Sequence, residues 1–178
     1  MKKGLAVSVI LLGAVAPGWA DKTNDGSGHD PQGRVTREVR HELVMLPYYG
    51  GFDDLSYRVD GETVTLMGGV TRPQLKDDAG KAIKDIEDVE GVDNKIEVLP
   101  LSPNDDSIRV ATYHAIYGDT GLSRYETRAV SPIHIIVRNG LITLKGVVGT
   151  EMDKNIAYIR ANGVHGAFSV TNELTVGN

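Results

Sequence analysis

The sequence repeats itself, and that limits its possible folds more than any other feature. Ile133 to Val148 reads Ile-His-Ile-Ile-Val-Arg-Asn-Gly-Leu-Ile-Thr-Leu-Lys-Gly-Val-Val, and Leu55 to Val70 carries the same pattern 78 positions earlier. Ile133, Ile135 and Val137 alternate with other residues, as do Ile142, Leu144, Gly146 and Val148. A β-strand sends every second side chain to one face, so each run has one apolar face. Asn139-Gly140 between them suits a two-residue type I′ turn, whose central residues both need positive φ. In the earlier copy Gly61-Glu62 suits a type II′ turn with Gly first. The same offset places Val92-Asp-Asn-Lys-Ile-Glu-Val98 on Val170-Thr-Asn-Glu-Leu-Thr-Val176. An ungapped match over roughly forty residues is an internal duplication, so the chain is built from two like units.

Residues 1–20 are read as a signal peptide rather than as fold. Lys2 and Lys3 precede an apolar run from Leu5 to Val15, and Gly18-Trp19-Ala20 ends it with small residues at the cleavage-defining positions. The run is shorter than the ~20 residues a membrane-spanning helix needs. No Cys follows it, which excludes a lipoprotein, and the chain contains no Cys at all. We therefore expect a periplasmic protein without disulfides. Asp21 to Gly33, polar and rich in Gly, is expected to be a flexible tether. Asp21, Thr23, Asp25 and Gly26 imitate the start of a calcium loop, but Gln32 stands where a bidentate Glu would be needed.

Beyond the tether, the pattern predicts helix, strand, strand, helix, strand, twice over. Arg34 to Leu46 places Val35, Val39, Leu43 and Leu46 at helical spacing, with Asp30-Pro31 as a start and Pro47 as the stop. After the first hairpin, Thr71 and Gln74 form a capping box for a helix with Leu75, Ala79, Ala82, Ile83 and Ile86 on its apolar face. The strand Val92 to Val98 should run parallel to the preceding one through a right-handed crossover. Asp105, Asp106 or Ser107 caps the next helix, with Ile108, Thr112, Ala115 and Ile116 inward. Thr150 opens the last, which holds Ile156, Ala157, Ile159, Ala161 and Val164. The expected class is α+β: two tandem α-β-β-α-β units, each a three-stranded mixed sheet with two helices on one face. The first unit spans residues 34–99, a linker 100–106, and the second unit 107–178. Gly68 and Gly146, on the core face of their strands, are expected to admit a helix backbone.

No catalytic constellation is visible. The five His (29, 41, 114, 134 and 165) include no pair three or four apart, so no metal motif forms. His134 is read as a solvated strand residue. There is no Gly-x-Ser-x-Gly elbow and no phosphate-loop spacing. Asp53-Asp54, Asp77-Asp78 and Asp105-Asp106 read as turn and helix-start residues. The chain is read as non-enzymatic, with no cofactor and no small-molecule substrate. After removal of the leader the net charge is −7, with −5 in Arg34 to Val98 and zero in Pro100 to Asn178. An acidic chain with no basic stripe is a poor partner for nucleic acid.

The hairpin motif Val137-Arg-Asn-Gly-Leu-Ile-Thr-Leu-Lys-Gly-Val-Val, a helix containing Ala157, and Val164-His-Gly-Ala-Phe-Ser-Val-Thr-Asn-Glu-Leu-Thr-Val resemble a BON domain (bacterial OsmY and nodulation). The first copy matches through Val64-Thr-Leu-Met-Gly, Ala79, and Val89-Glu-Gly-Val followed by Asn94 and Ile96. Gly166-Ala167 departs from the pattern's Gly-Val. The resemblance extends to osmotically induced periplasmic proteins with two such domains. It implies an envelope protein that binds phospholipid or stabilises other envelope proteins, with a part in stress tolerance and no catalysis. It supplies no fixed set of binding residues.

Two readings follow. In the first, the neutral second unit meets a phospholipid surface through Arg124, Arg128, Arg138 and Lys145 near Tyr125, each basic side chain contributing ~1 kcal/mol. In the second, another envelope protein is held, in the manner of a holdase, by the aromatic loop Tyr48, Tyr49 and Phe52 or by an open strand edge. The same rings could equally cover the end of a small core.

Overall fold

The structure, a computed structural model, describes the backbone of Ile10 and Leu11 and residues 30–128 and 130–177. The rest of the expected signal peptide, and the tether up to residue 29, lie outside the described residues. Each half of the chain folds as the repeat requires. In the first unit the order is α1 (Pro31–Val44), β2 (Asp54–Asp60), β3 (Thr63–Val70), α2 (Pro73–Lys84), β4 (Gly91–Asn94) and β5 (Glu97–Val98). In the second it is α3 (Pro103–Tyr117), a 3-10 turn (Ser123–Tyr125), β6 (Ile133–Arg138), β7 (Leu141–Val148), α4 (Glu151–Asn162) and β8 (Ser169–Val176). β2 and β3 are antiparallel, as are β6 and β7. β4 and β5 run parallel to β3, and β8 runs parallel to β7, so both final strands have the expected direction. A two-residue strand β1 (Ile10–Leu11) lies antiparallel on the outer edge of β2.

The turns obey their chemistry. Asn139 and Gly140 have φ of 52° and 77°, and Gly61 has φ of 61°. The first unit buries Val35, Val39, Leu43, Leu55, Tyr57, Leu66, Leu75 and Ile83 in one core. The second buries Ile108, Ile116, Ile133, Ile135, Ile142, Leu144, Ala157 and Leu174 in another. Ile159 departs from expectation and is exposed on α4.

α1 begins at Pro31 with Asp30 as its cap, as the Asp30-Pro31 pair predicts, because the Asp30 carboxylate accepts the Gly33 N–H. α3 begins at Pro103, inside the expected linker, because the Ser102 hydroxyl accepts the Asp105 N–H at 3.2 Å. Pro at the first helical position has no N–H to leave unsatisfied. The capping box at Thr71 does not form. Instead the Thr71 N–H and hydroxyl both donate to Asp53 Oδ1, at 2.7 and 2.8 Å, since Asp53 is buried and needs donors.

The two strand glycines are explained differently from what their position suggested. Gly68 and Gly146 have φ of 122° and 114°, and a Cβ there would collide with the backbone of Asp54 and Pro132. The neighbour that excludes a side chain is the start of the partner strand, not a helix. Val147 N–H donates to Pro132 O at 3.0 Å beside this close approach.

A duplicated asparagine ties each last strand to its helix. Asn94 Nδ2 donates to Lys76 O and Asn94 Oδ1 accepts from Ile96 N–H. Asn172 does the same with Lys154 O and Leu174 N–H.

Candidate functional site

The five residues singled out for lipid contact fall into two places. Arg124, Tyr125 and Arg128 lie together on and just after the 3-10 turn. Tyr125 is buried, and its hydroxyl donates to Asp153 Oδ2 at 2.9 Å while accepting the Gly149 N–H at 2.7 Å. The Arg124 guanidinium lies 4.8 Å from the Tyr125 ring centre and donates to both Asp153 oxygens at 2.6 Å. The Arg128 guanidinium lies 5.4 Å from the same ring centre. Two cations therefore flank one ring, each within cation–π range. Burial pushes the Asp153 carboxyl up, but hydrogen bonds from Thr150, Tyr125 and Arg124 outweigh it and hold the group below the usual carboxylate range.

The turn leans on α4. A Cβ on Gly121 would lie 3.8 Å from Ile156 Cδ1. Ile156 is one of three residues, with Met152 and Ile159, at positions i, i+4 and i+7 of the helix. Met152 is 71% exposed and Ile159 66%. An apolar stripe thus runs into solvent beside the arginine turn. The periodicity that marked α4 as amphipathic could not separate its covered residues from these open ones.

Arg138 and Lys145 are elsewhere. They project from the face of the second sheet opposite its helices, and both are spent on the first unit. Lys145 Nζ lies 2.8 Å from Asp54 Oδ2, and Arg138 Nη2 lies 2.5 Å from Glu97 Oε2. The Lys145 amine is partly buried, which lowers its pKa, yet the hydrogen bond to Asp54 raises it further and the net shift is upward. The four basic side chains do not share one surface.

The aromatic loop is the other half of this junction. Gly51 O accepts the Ile135 N–H at 2.7 Å, so the loop caps the outer edge of β6. Tyr49 packs against the first core and stacks on His134, ring centres 5.6 Å apart. Phe52 packs against the second core, edge-on to Tyr113. Tyr48 remains open, 67% exposed, with the Arg72 guanidinium 4.8 Å above its ring centre. Of the three rings offered to a partner, two join the units to each other.

His134 corrects the reading of it as solvated. It is 2% exposed under the loop, and neither ring nitrogen has a hydrogen-bond partner. Burial holds its pKa below the ordinary histidine value, against the opposing pull of Asp54 and the Asp53 and Gly50 backbone. Among the described residues no group of three or more His, Asp or Glu could hold a metal.

A family model for the BON domain matches residues 32–100 and 122–178. The chain belongs to the BON domain family. The two BON segments carry the two sheets, and BON domains are a non-catalytic family found in envelope proteins. No curated protein matches the chain by sequence. Among solved structures, the chain resembles CdsD, a structural protein of the Type III secretion system of Chlamydia trachomatis, at 10% identity, covering 80% of this chain and 92% of that one with a TM-score of 0.31. The C-terminal domain of CdsD matches at 11% identity over 80% of this chain and 96% of that one, with a TM-score of 0.28. Among the described residues no helix is long and apolar enough to cross a membrane.

Proposed function

We propose that this two-BON-domain chain is an exported, non-enzymatic envelope protein that rests peripherally on phospholipid and supports envelope integrity under stress. The observation that supports it is the exposed stripe of Met152 and Ile159 beside the arginine turn. An amphipathic helix with open apolar residues and flanking cations is suited to lie in a headgroup layer. Burying two such side chains contributes about 1.5 kcal/mol each, and Arg128 about 1 kcal/mol near an anionic surface. Arg124 adds little, because Asp153 neutralises it. A total of about 4 kcal/mol corresponds to roughly millimolar, reversible contact. Such contact is strengthened when many copies meet one surface.

The test is flotation of the chain from Asp21 onward with anionic and zwitterionic vesicles at low and physiological salt. Flotation with anionic vesicles that weakens at least threefold in Met152→Asn/Ile159→Asn is expected. Flotation equal in parent and variant, or none with either vesicle, overturns the lipid reading. The protein-holding alternative keeps Tyr48 and β8, an edge strand that among the described residues pairs with β7 alone. Tyr49 and Phe52 no longer support it.

A further inference from the structure

A cavity of about 240 Å³ lies where the loop at residues 49–51 meets α3 and the segment after the 3-10 turn. Its lining includes Tyr49, Tyr113, Tyr117, Glu126, Arg128 and His134. The first residue comes from one unit and the rest from the other. Pockets for drug-sized molecules begin at about 300 Å³, so this one suits a small solute or a single headgroup.

The lining has three kinds of chemistry. The rings of Tyr113 and Tyr117 lie 4.6 Å apart, and the Tyr117 hydroxyl is already spent on Ser131 and Ile133 O. Tyr117 therefore offers its π-face rather than its hydroxyl. His134 forms part of the wall with both ring nitrogens unpartnered, although it is 2% exposed. Both nitrogens are shielded from the cavity, so His134 shapes its wall rather than meeting a ligand directly. Glu126 and Arg128 are both exposed, and they carry opposite charges without forming an ion pair with each other. Glu126 instead accepts the Tyr113 hydroxyl at 3.1 Å, and Arg128 rests on Tyr125. Two opposite charges held apart on one lining complement a molecule that carries both.

We infer that this cavity binds a small zwitterion across the two units, its ammonium against the tyrosine rings and Glu126 and its acid group on Arg128. Aromatic faces beside a carboxylate attract an ammonium through cation–π and Coulomb terms together. A guanidinium matches a carboxylate or phosphate bidentately. The zwitterion can be a free solute or the headgroup of a zwitterionic lipid. This site shares Arg128 with the proposed lipid contact but uses neither Met152 nor Ile159, and it does not depend on anionic lipid.

The probes are glycine betaine and phosphocholine, with choline chloride and sodium phosphate as single-charge controls. Calorimetry and thermal melting of the chain from Asp21 should show at least tenfold tighter binding of a zwitterion than of either control, with a rise in Tm. Glu126→Gln should lose about tenfold in affinity for glycine betaine while retaining the parent melting temperature without ligand. Arg128→Gln should lose a similar factor. Glu126→Gln should float with anionic vesicles as the parent does, which separates this site from the lipid reading. Binding to phosphatidylcholine vesicles that phosphocholine competes away assigns a headgroup, whereas binding of the free probes alone assigns a solute. Equal affinity for zwitterions and controls, or unchanged affinity in both variants, overturns the inference.

Discussion

Replacing Gly146 with Ala tests the central feature of the repeat. The residue sits at φ of 114°, where an L side chain is strained. Holding a non-glycine residue in such a sparsely populated region costs of order 1–3 kcal/mol. The new Cβ would also meet Pro132 O and lie 3.1 Å from its carbonyl carbon, both backbone atoms that cannot rotate away. Relief requires β6 and β7 to part at this point, which loosens the bond from Val147 N–H to Pro132 O and adds about 1 kcal/mol. The expected total is about 3 kcal/mol. A unit of this size has about 4–10 kcal/mol of stability in all, so a large share of it would be lost. Gly61→Ala provides the contrast. It also has positive φ, but nothing lies within 4 Å of its Cβ, so only about 1 kcal/mol of backbone strain is expected. Urea unfolding followed by far-UV circular dichroism measures both. If Gly146→Ala stays within 1 kcal/mol of the parent, or costs no more than Gly61→Ala, the close approach of strand backbones is not what requires the glycine.

Four further outcomes are expected. Asn172→Ala removes one hydrogen bond from β8 to Lys154 O of α4 and one within β8 to the Leu174 N–H, and should cost about 2 kcal/mol in urea unfolding. Lys145→Ala leaves the nearly buried Asp54 carboxylate without its cation, and amide exchange at Ile135 should speed up at least tenfold as the loop undocks. The folded pKa of Asp153 is depressed, so the unfolded chain binds the extra proton first. The stability this contributes is present above the ordinary carboxylate value and is lost as pH falls through the lower folded value, and Asp153→Asn should flatten that acid limb of the melting curve. The folded pKa of His134 is also lowered, so the docked junction is favoured above the ordinary histidine value and weakens as pH falls below it. His134→Phe should remove that dependence from the exchange rate of Ile135, and an unchanged pH profile would show that another group titrates there.

The hairpins, their register and the parallel final strands were legible because each is written locally, in alternation and turn residues. What lay across the chain was not. Asp105 looked like a helix-start residue, yet its carboxylate accepts the N–H groups of Asn139 and Gly140 and clamps the second hairpin turn. Asp53 reaches Thr71 in the same way, and no local pattern marks either pairing. His134 looked solvated, and Arg138 and Lys145 looked free to meet a lipid surface, because alternation places them opposite the core. A signal to the contrary was present in Ile136, an apolar residue on that same face. A methyl of Ile136 lies 3.9 Å from where a Cβ on Gly69 would stand, in the first unit. Apolar residues on both faces of β6 implied a second covering layer, but not that the other unit supplies it. The candidate cations divided for the same reason: a net charge of zero says nothing about which basic residues already have partners.

The docking of Gly51 on Ile135 has a consequence for the order in which the chain is assembled. An edge strand with free backbone groups invites pairing with whatever strand is near. The outer edge of β6 is closed by Gly51 O, by the Tyr117 hydroxyl on Ile133 O and by the Arg109 guanidinium on Val137 O. All three groups precede β6 in sequence. A ribosome makes them first, so the strand emerges into a lock already built. A circular permutant that begins at Ile133 and ends at Pro132 would keep every residue but reverse that order, leaving newly made β6 open to its neighbours on the same polysome.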